Sequence, residues 1–182
     1  MNITTGGLSK KELLSLLDDT TAKLLQALSS FNEEELNTIP FEGSWTAGQV
    51  GEHLLKAGSG LTQLLLGNTQ PANRPPDENV KDIESIFLDF TKKAKSAQAI
   101  CPSNEPKDKK KLIGSLKETM DDIRQTADLL DLSLACMDFP FPTSGEFTRW
   151  EWISFVICHT IKHTYQIENI YKTICDKKTV RS

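Results

Sequence analysis

The chain has little net charge, no long apolar run, no paired cysteines and very little histidine. Its 21 basic and 25 acidic residues leave a formal charge of -4, which gives no general attraction to nucleic acid or to an anionic membrane. The run Lys107-Asp108-Lys109-Lys110-Lys111 reads as a solvated loop and helix start. No apolar segment approaches the roughly eighteen residues of a membrane span, and the first residues do not resemble a signal peptide. The expected setting is the cytoplasm. Cys101, Cys136, Cys158 and Cys175 form no C-x-x-C pair. A chain of 182 residues can bury a substantial core without disulfides, so these cysteines are expected to be reduced and mostly packed. Internal repeats and period-two alternation are also missing. We therefore expect one domain over residues 1–182, of the all-α class.

Helix signals are plentiful. Ser9 and Glu12 stand in the S/T-x-x-E relation of a capping box, and Leu13, Leu16, Leu17, Leu24, Leu25 and Leu28 follow at helical spacing. This predicts a first helix over about 9–30, with one further turn capped by Asn32 before Pro40. Thr46 and Gln49 repeat the box and open a second helix to about Leu66, with Val50, His53, Leu54, Ala57, Leu61 and Leu64 inward. Gly48, Gly51, Gly58 and Gly60 oppose it, each by about 1 kcal/mol relative to alanine. Gly51 and Gly58, seven apart, would admit a close neighbour. Trp45, just before the cap, reads as an apolar plug over the end of the core.

After a loop containing Pro71, Pro75 and Pro76, the pattern Ile83, Ile86, Phe87, Phe90 predicts a helix over about 80–98. A second loop with Pro102 and Pro106 leads to a helix from about Lys109 to Asp131, carrying Leu112, Ile113, Leu116, Met120, Ile123, Ala127 and Leu130 on one face. Phe139 to Gly145 cannot be helical. Thr148 and Glu151 then form another capping box at the head of the last helix. The sum is a four-helix bundle with one long crossover that contains a short extra helix.

The last helix carries the chemistry. Its apolar face, with Trp152, Phe155, Val156, Ile167 and Ile170, is interrupted by His159 and His163. Positions four apart differ by about 40° around a helix, so both imidazoles project the same way. An unpaired polar group on such a face costs about 1–3 kcal/mol. A divalent cation shared with His53 would satisfy all three rings, provided the second and last helices are neighbours. Three neutral imidazoles leave coordination positions open, the pattern of a catalytic rather than a structural site. The H-E-x-x-H motif is absent because Thr160 stands where its glutamate would be. No general base is evident, since Glu52 and Glu168 are expected to face solvent in part. Gln166 reads either as a partner of a bound imidazole or substrate, or as a packed polar residue. Cys158 points about 100° away from His159 and is rejected as a ligand. Tyr165 and Trp152 are candidates for a pocket mouth, with core packing preferred for Trp152.

The segments S-W-T-A-G-Q-V-G-E-H-L and G-E-F-T-R-W-E-W-I-S-F-V-I-C-H-T-I-K-H-T-Y-Q-I, taken in the order of the helices, resemble the DinB/YfiT-like superfamily of small four-helix-bundle proteins. The resemblance implies a zinc, nickel or iron ion held by His53, His159 and His163, and a homodimer. Characterised relatives include metal-dependent hydrolases and transferases that conjugate low-molecular-weight thiols. Three readings follow: a metal-dependent enzyme acting on a small molecule by hydrolysis or thiol transfer, a non-catalytic metal-binding or stress-related bundle, and a bundle that binds nickel adventitiously. Thiol transfer asks for fewer additional residues than hydrolysis.

Overall fold

A computed structural model describes residues 4–91, 96–141 and 145–179. Helix α1 (Lys10–Ser29) starts at the Ser9–Glu12 capping box, and a one-turn α2 (Glu33–Leu36) starts at a reciprocal Asn32–Glu35 box. Helix α3 (Ala47–Gly58) opens at Thr46 and Gln49. The helix expected to continue to Leu66 instead breaks at Ser59 and Gly60, and α4 (Leu61–Leu66) begins anew. Gly60 sits at φ 86, a left-handed conformation that costs an L-residue about 1–2 kcal/mol, so this glycine ends a helix rather than weakening one.

Strand β1 (Thr69–Pro71) pairs antiparallel with β2 (Leu134–Cys136), with Thr69 opposite Cys136 and Pro71 opposite Leu134. The sequence reading contained no strand, because three residues are too few to display an alternation. Helix α5 (Val80–Phe87) is shorter than the predicted 80–98. Of its expected buried side only Ile83 is fully buried, whereas Ile86 and Phe90 are exposed. The chain turns at Asp89, whose carboxylate accepts from both the amide and the hydroxyl of Thr91, a local bond that competes with helix continuation. Residues 92–95 of the predicted span lie outside the described residues. Helix α6 (Lys109–Leu129) is capped by Asp108, and α7 (Arg149–Thr179) starts at Thr148, which exchanges the expected pair of bonds with Glu151.

The four long helices form a bundle in which α1 and α3 each pack against both α6 and α7. Helices α1 and α3 therefore face each other across the diagonal, as do α6 and α7. The core between them holds Leu13, Leu17 and Leu28 of α1, Val50 and Leu54 of α3, Leu116 and Ile123 of α6, and Ile153, Ile157 and Ile167 of α7. Gly51 and Gly58 permit the close approach of α6 expected of them: a β-carbon at Gly51 would stand 2.9 Å from Leu112 Cδ2, and one at Gly58 3.0 Å from Thr119 Cγ2. What this packing achieves for the site is simple. It makes α3 and α7 neighbours.

Two glycines give a paired test of these backbone readings. Gly60→Ala should destabilise by about 1 kcal/mol because of its left-handed φ. Gly114, exposed within α6 with nothing near its missing β-carbon, should do the reverse, with Gly114→Ala stabilising by up to about 1 kcal/mol. Urea midpoints that move in opposite directions are the expected result.

Candidate metal centre

Helix α3 presents His53 toward α7, which presents His159 and His163 from successive turns of one face. His53 and His159 are 3% and 7% exposed, and His163 is half-buried. The Nε2 atoms of His53 and His159 lie 3.1 Å apart, as do those of His159 and His163. All the prospective ligand atoms fall within 4.8 Å of one another, and this is the one such grouping of histidine, cysteine and carboxylate side chains among the described residues.

The outer ring nitrogens determine what the inner ones can do. His53 Nδ1 lies 2.9 Å from the Ile100 carbonyl, and His163 Nδ1 lies 2.8 Å from Gln166 Oε1. Both carbonyl oxygens accept only, and the Ser96 hydroxyl 3.4 Å from His53 Nδ1 donates to the Ala97 carbonyl and so can accept as well; both Nδ1 atoms therefore carry the proton, and a neutral ring then has a bare lone pair at Nε2. Two bare lone pairs thus face His159 Nε2, which holds at most one proton to share. A cation resolves this arrangement, whereas neutral hydrogen bonding satisfies only half of it. Imidazole nitrogens bound about 2.0–2.1 Å from a tetrahedral zinc stand about 3.4 Å from one another, close to the spacing observed here.

Burial keeps the rings in the ligand form. It depresses His53, opposed by the bond to Ile100, and depresses His163 to about 4, assisted by His53 and opposed by Gln166. His159 is pushed well below the usual range by burial and then by the charges of His163, His53 and Lys162. Burial thus favours the neutral form of each ring.

The walls are aromatic. Phe155 stacks on His159 at 5.2 Å and 18°, Phe87 meets the same ring edge-on at 5.4 Å, and Trp45 lies 5.2 Å from His53. Trp45 is thus half-buried against a site histidine rather than only a plug over the core. Trp152 packs among Phe139, Phe141, Phe147 and Phe155, while Tyr165 is exposed with its ring 4.5 Å from that of Phe90. Neither makes a ring contact with the three imidazoles among the described residues. The buried Cys158 is outside the cluster, and burial pushes its thiol up to about 12.

The two carboxylates near the ligands in sequence also stay outside the cluster. Glu168 is exposed. Glu52 turns to the crossover loop, where it meets Lys107 Nζ at 2.6 Å, Lys56 Nζ at 3.1 Å and the Ser103 amide at 2.8 Å. Burial opposes its ionisation, but these donors outweigh burial and hold its carboxyl down to about 2. The Ile100 carbonyl escaped the sequence reading, and Trp45, Phe87 and Phe155 were read there as core packing rather than as walls of the site. A tryptophan eight residues before a histidine could have suggested the first aromatic wall, but a backbone carbonyl leaves no signature in sequence.

Comparison with known proteins agrees with this architecture. Residues 16–167 match the model of the DinB superfamily. Over 170 residues the chain is 25% identical to the uncharacterized protein YuaE of Bacillus subtilis (strain 168), covering 88% of this chain and 98% of YuaE. Among solved structures it is similar to YfiT from Bacillus subtilis, a probable metal-dependent hydrolase with an unusual four-helix bundle topology. That match has a TM-score of 0.61 at 21% identity and covers 93% of this chain and 91% of the other. At this identity the likeness is one of fold.

Proposed function

The chain belongs to the DinB superfamily, and on that premise we propose that it is a metal-dependent enzyme for a small-molecule substrate, with one divalent cation held by His53, His159 and His163. The observation that carries this reading is the convergence of three Nε2 atoms, two of them bare, beside the rings of Trp45, Phe87 and Phe155. A set of three neutral imidazoles suits zinc, nickel or iron. When bound, such an ion supplies Lewis acidity toward an oxygen or sulfur ligand in its remaining coordination positions. The protein's own part is to orient and to exclude. Ile100 and Gln166 fix two imidazoles through their outer nitrogens, while Trp45, Phe87 and Phe155 keep bulk water from the rings.

Two reactions compete. Hydrolysis is supported by what is said of YfiT, a protein of the same fold. Thiol transfer is supported by the donor set, since among the described residues no carboxylate joins the histidines to serve as a general base. The first measurement is elemental analysis of protein made without a histidine tag, before and after dialysis against zinc. About one equivalent of divalent metal is the expected content, and no uptake after reconstitution would overturn the reading. Metal-loaded protein would then be assayed against hydrolysable esters and amides and against low-molecular-weight thiols with an electrophilic acceptor.

Gln166 offers a graded test of the same centre. Gln166→Ala removes the acceptor at His163 Nδ1 and leaves all three ligands in place. Partners of this kind are worth about 10–100-fold in metal affinity. A chelator competition titration with zinc should show that weakening, and an unchanged affinity would return Gln166 to the role of a packed polar residue.

A further inference from the structure

The face of α3 that carries His53 also holds down the crossover loop. Four of its side chains, from Gln49 to Lys56, reach residues 100–107. Gln49 Nε2 donates to the Ser103 carbonyl at 3.1 Å, and Lys56 Nζ donates to the Cys101 carbonyl at 2.8 Å. His53 donates to the Ile100 carbonyl. Glu52 accepts from the Ser103 amide and pairs with Lys107, whose Nζ also donates to the Ser103 hydroxyl. Lys107 is itself pinned, for its amide donates to Asn37 Oδ1 at 2.7 Å and its carbonyl accepts from Asn37 Nδ2 at 2.9 Å.

Gly48 makes room for this clamp. A β-carbon there would lie 2.9 Å from Lys107 Cγ, 3.1 Å from Lys107 Cβ and 3.2 Å from the Leu36 carbonyl. The lysine stem crosses the helix over the bare glycine to reach Glu52. A glycine inside α3 costs about 1 kcal/mol in helix propensity, and the Lys107 stem occupies the space that an alanine would fill.

We infer that Glu52, with Lys107, is a positioning residue for the metal centre: by clamping loop 100–107 to α3 it holds the Ile100 carbonyl against His53 Nδ1 and so keeps the inner Nε2 of His53 bare. A side chain next in sequence to a ligand, pointing away from it, thereby reaches the same ring through the loop. This inference rests on the proposed metal centre for its consequence, but its first link, the Glu52 clamp setting the tautomer of His53, exists without any ion.

The test separates the two. Ring nitrogen chemical shifts of His53 in metal-free, nitrogen-15-labelled protein report its tautomer directly, and release of zinc from loaded protein into excess chelator reports the consequence. Glu52→Gln and Lys107→Met should each mix the His53 tautomers and raise the zinc release rate about tenfold, in the range found for outer partners of metal-bound histidines. Glu12→Gln serves as the control, because it weakens only the capping box of α1 and should leave both readouts unchanged. If Glu52→Gln does not fold, Lys107→Met and Gly48→Ala, which displaces the Lys107 stem, carry the test. Unaltered His53 shifts in the clamp variants would overturn the inference, as would equal acceleration of zinc release by Glu12→Gln. Wild-type protein that takes up no zinc would overturn the metal reading instead, while the metal-free shifts would still decide whether the clamp sets the tautomer.

Discussion

His159→Leu is expected to abolish stoichiometric metal binding while leaving the helical content intact. The loss follows from geometry. Both 3.1 Å contacts run through His159 Nε2, so removing it takes away the donor that links α3 to the second turn of the site on α7. Stability without metal is set by two opposing effects. His159 is enclosed by Phe155 and Phe87, and without an ion two bare lone pairs confront its single inner nitrogen. Leucine fills comparable space with no polar atom of its own to satisfy, but it withdraws the one proton that His159 shares and leaves the Nε2 lone pairs of His53 and His163 both unpaired, at a cost of about 1–3 kcal/mol for the one newly stranded. Elemental analysis should find no bound metal, circular dichroism should be unchanged, and the urea midpoint in chelator should lie close to that of wild type. His163→Ala should also lose the metal and should be less stable than His159→Leu, because its half-buried site is left with a cavity. Retained metal in either variant would mean that the ligand assignment is wrong.

The burial of polar rings on apolar helix faces also explains why the candidate site could be read from sequence. A histidine on an apolar helix face conflicts with local physics, and His53, His159 and His163 make the same conflict three times. The helix starts were legible for a related reason, since Ser9, Thr46 and Thr148 each find their glutamate or glutamine three residues on, and a capping box is a local event. Termini and connections were less legible. Whether Gly60 sits inside a helix or ends one depends on a left-handed φ that composition does not encode. Helix α5 carries an apolar pattern beyond Phe87, yet a side-chain bond at Asp89 turns the chain. The β1–β2 pairing, the Ile100 carbonyl and the Glu52 clamp join residues dozens of positions apart. Such contacts exist only once the bundle has placed the loops.

Arg74→Ala is expected to be among the most destabilising single changes in the chain, although Arg74 lies in a proline-rich loop and no helix pattern marks it. Glu151 is the capping residue of α7, and in the fold it is fully buried at 0% exposure. Its carboxylate accepts from Arg74 Nη1 at 2.6 Å, Arg74 Nη2 at 2.8 Å, the Asn79 amide at 2.8 Å and the Thr148 amide at 2.8 Å. One glutamate therefore caps α7, anchors the start of α5 and holds the crossover loop. The bidentate bond that Arg74 donates to Glu151 raises its guanidinium above the usual range against the opposing effect of burial. Removing the arginine leaves a carboxylate with two amide donors and no cation in a site without solvent, and breaking a buried pair in this way costs about 3–5 kcal/mol. The reverse change is milder at the arginine, whose side chain is 23% exposed and can turn to water, but it also removes a cap worth about 1 kcal/mol. The double variant Arg74→Ala/Glu151→Ala should therefore be no less stable than Arg74→Ala alone, because deleting the stranded charge offsets the lost bonds. Urea denaturation of the four proteins closes this cycle, and additive losses would show that the pair is not coupled. Zinc content should be unchanged in all four. Glu151 stands eight residues before His159, about 12 Å along a continuous helix, so the ion pair secures the end of α7 while α3 and the middle of α7 set the ligand geometry.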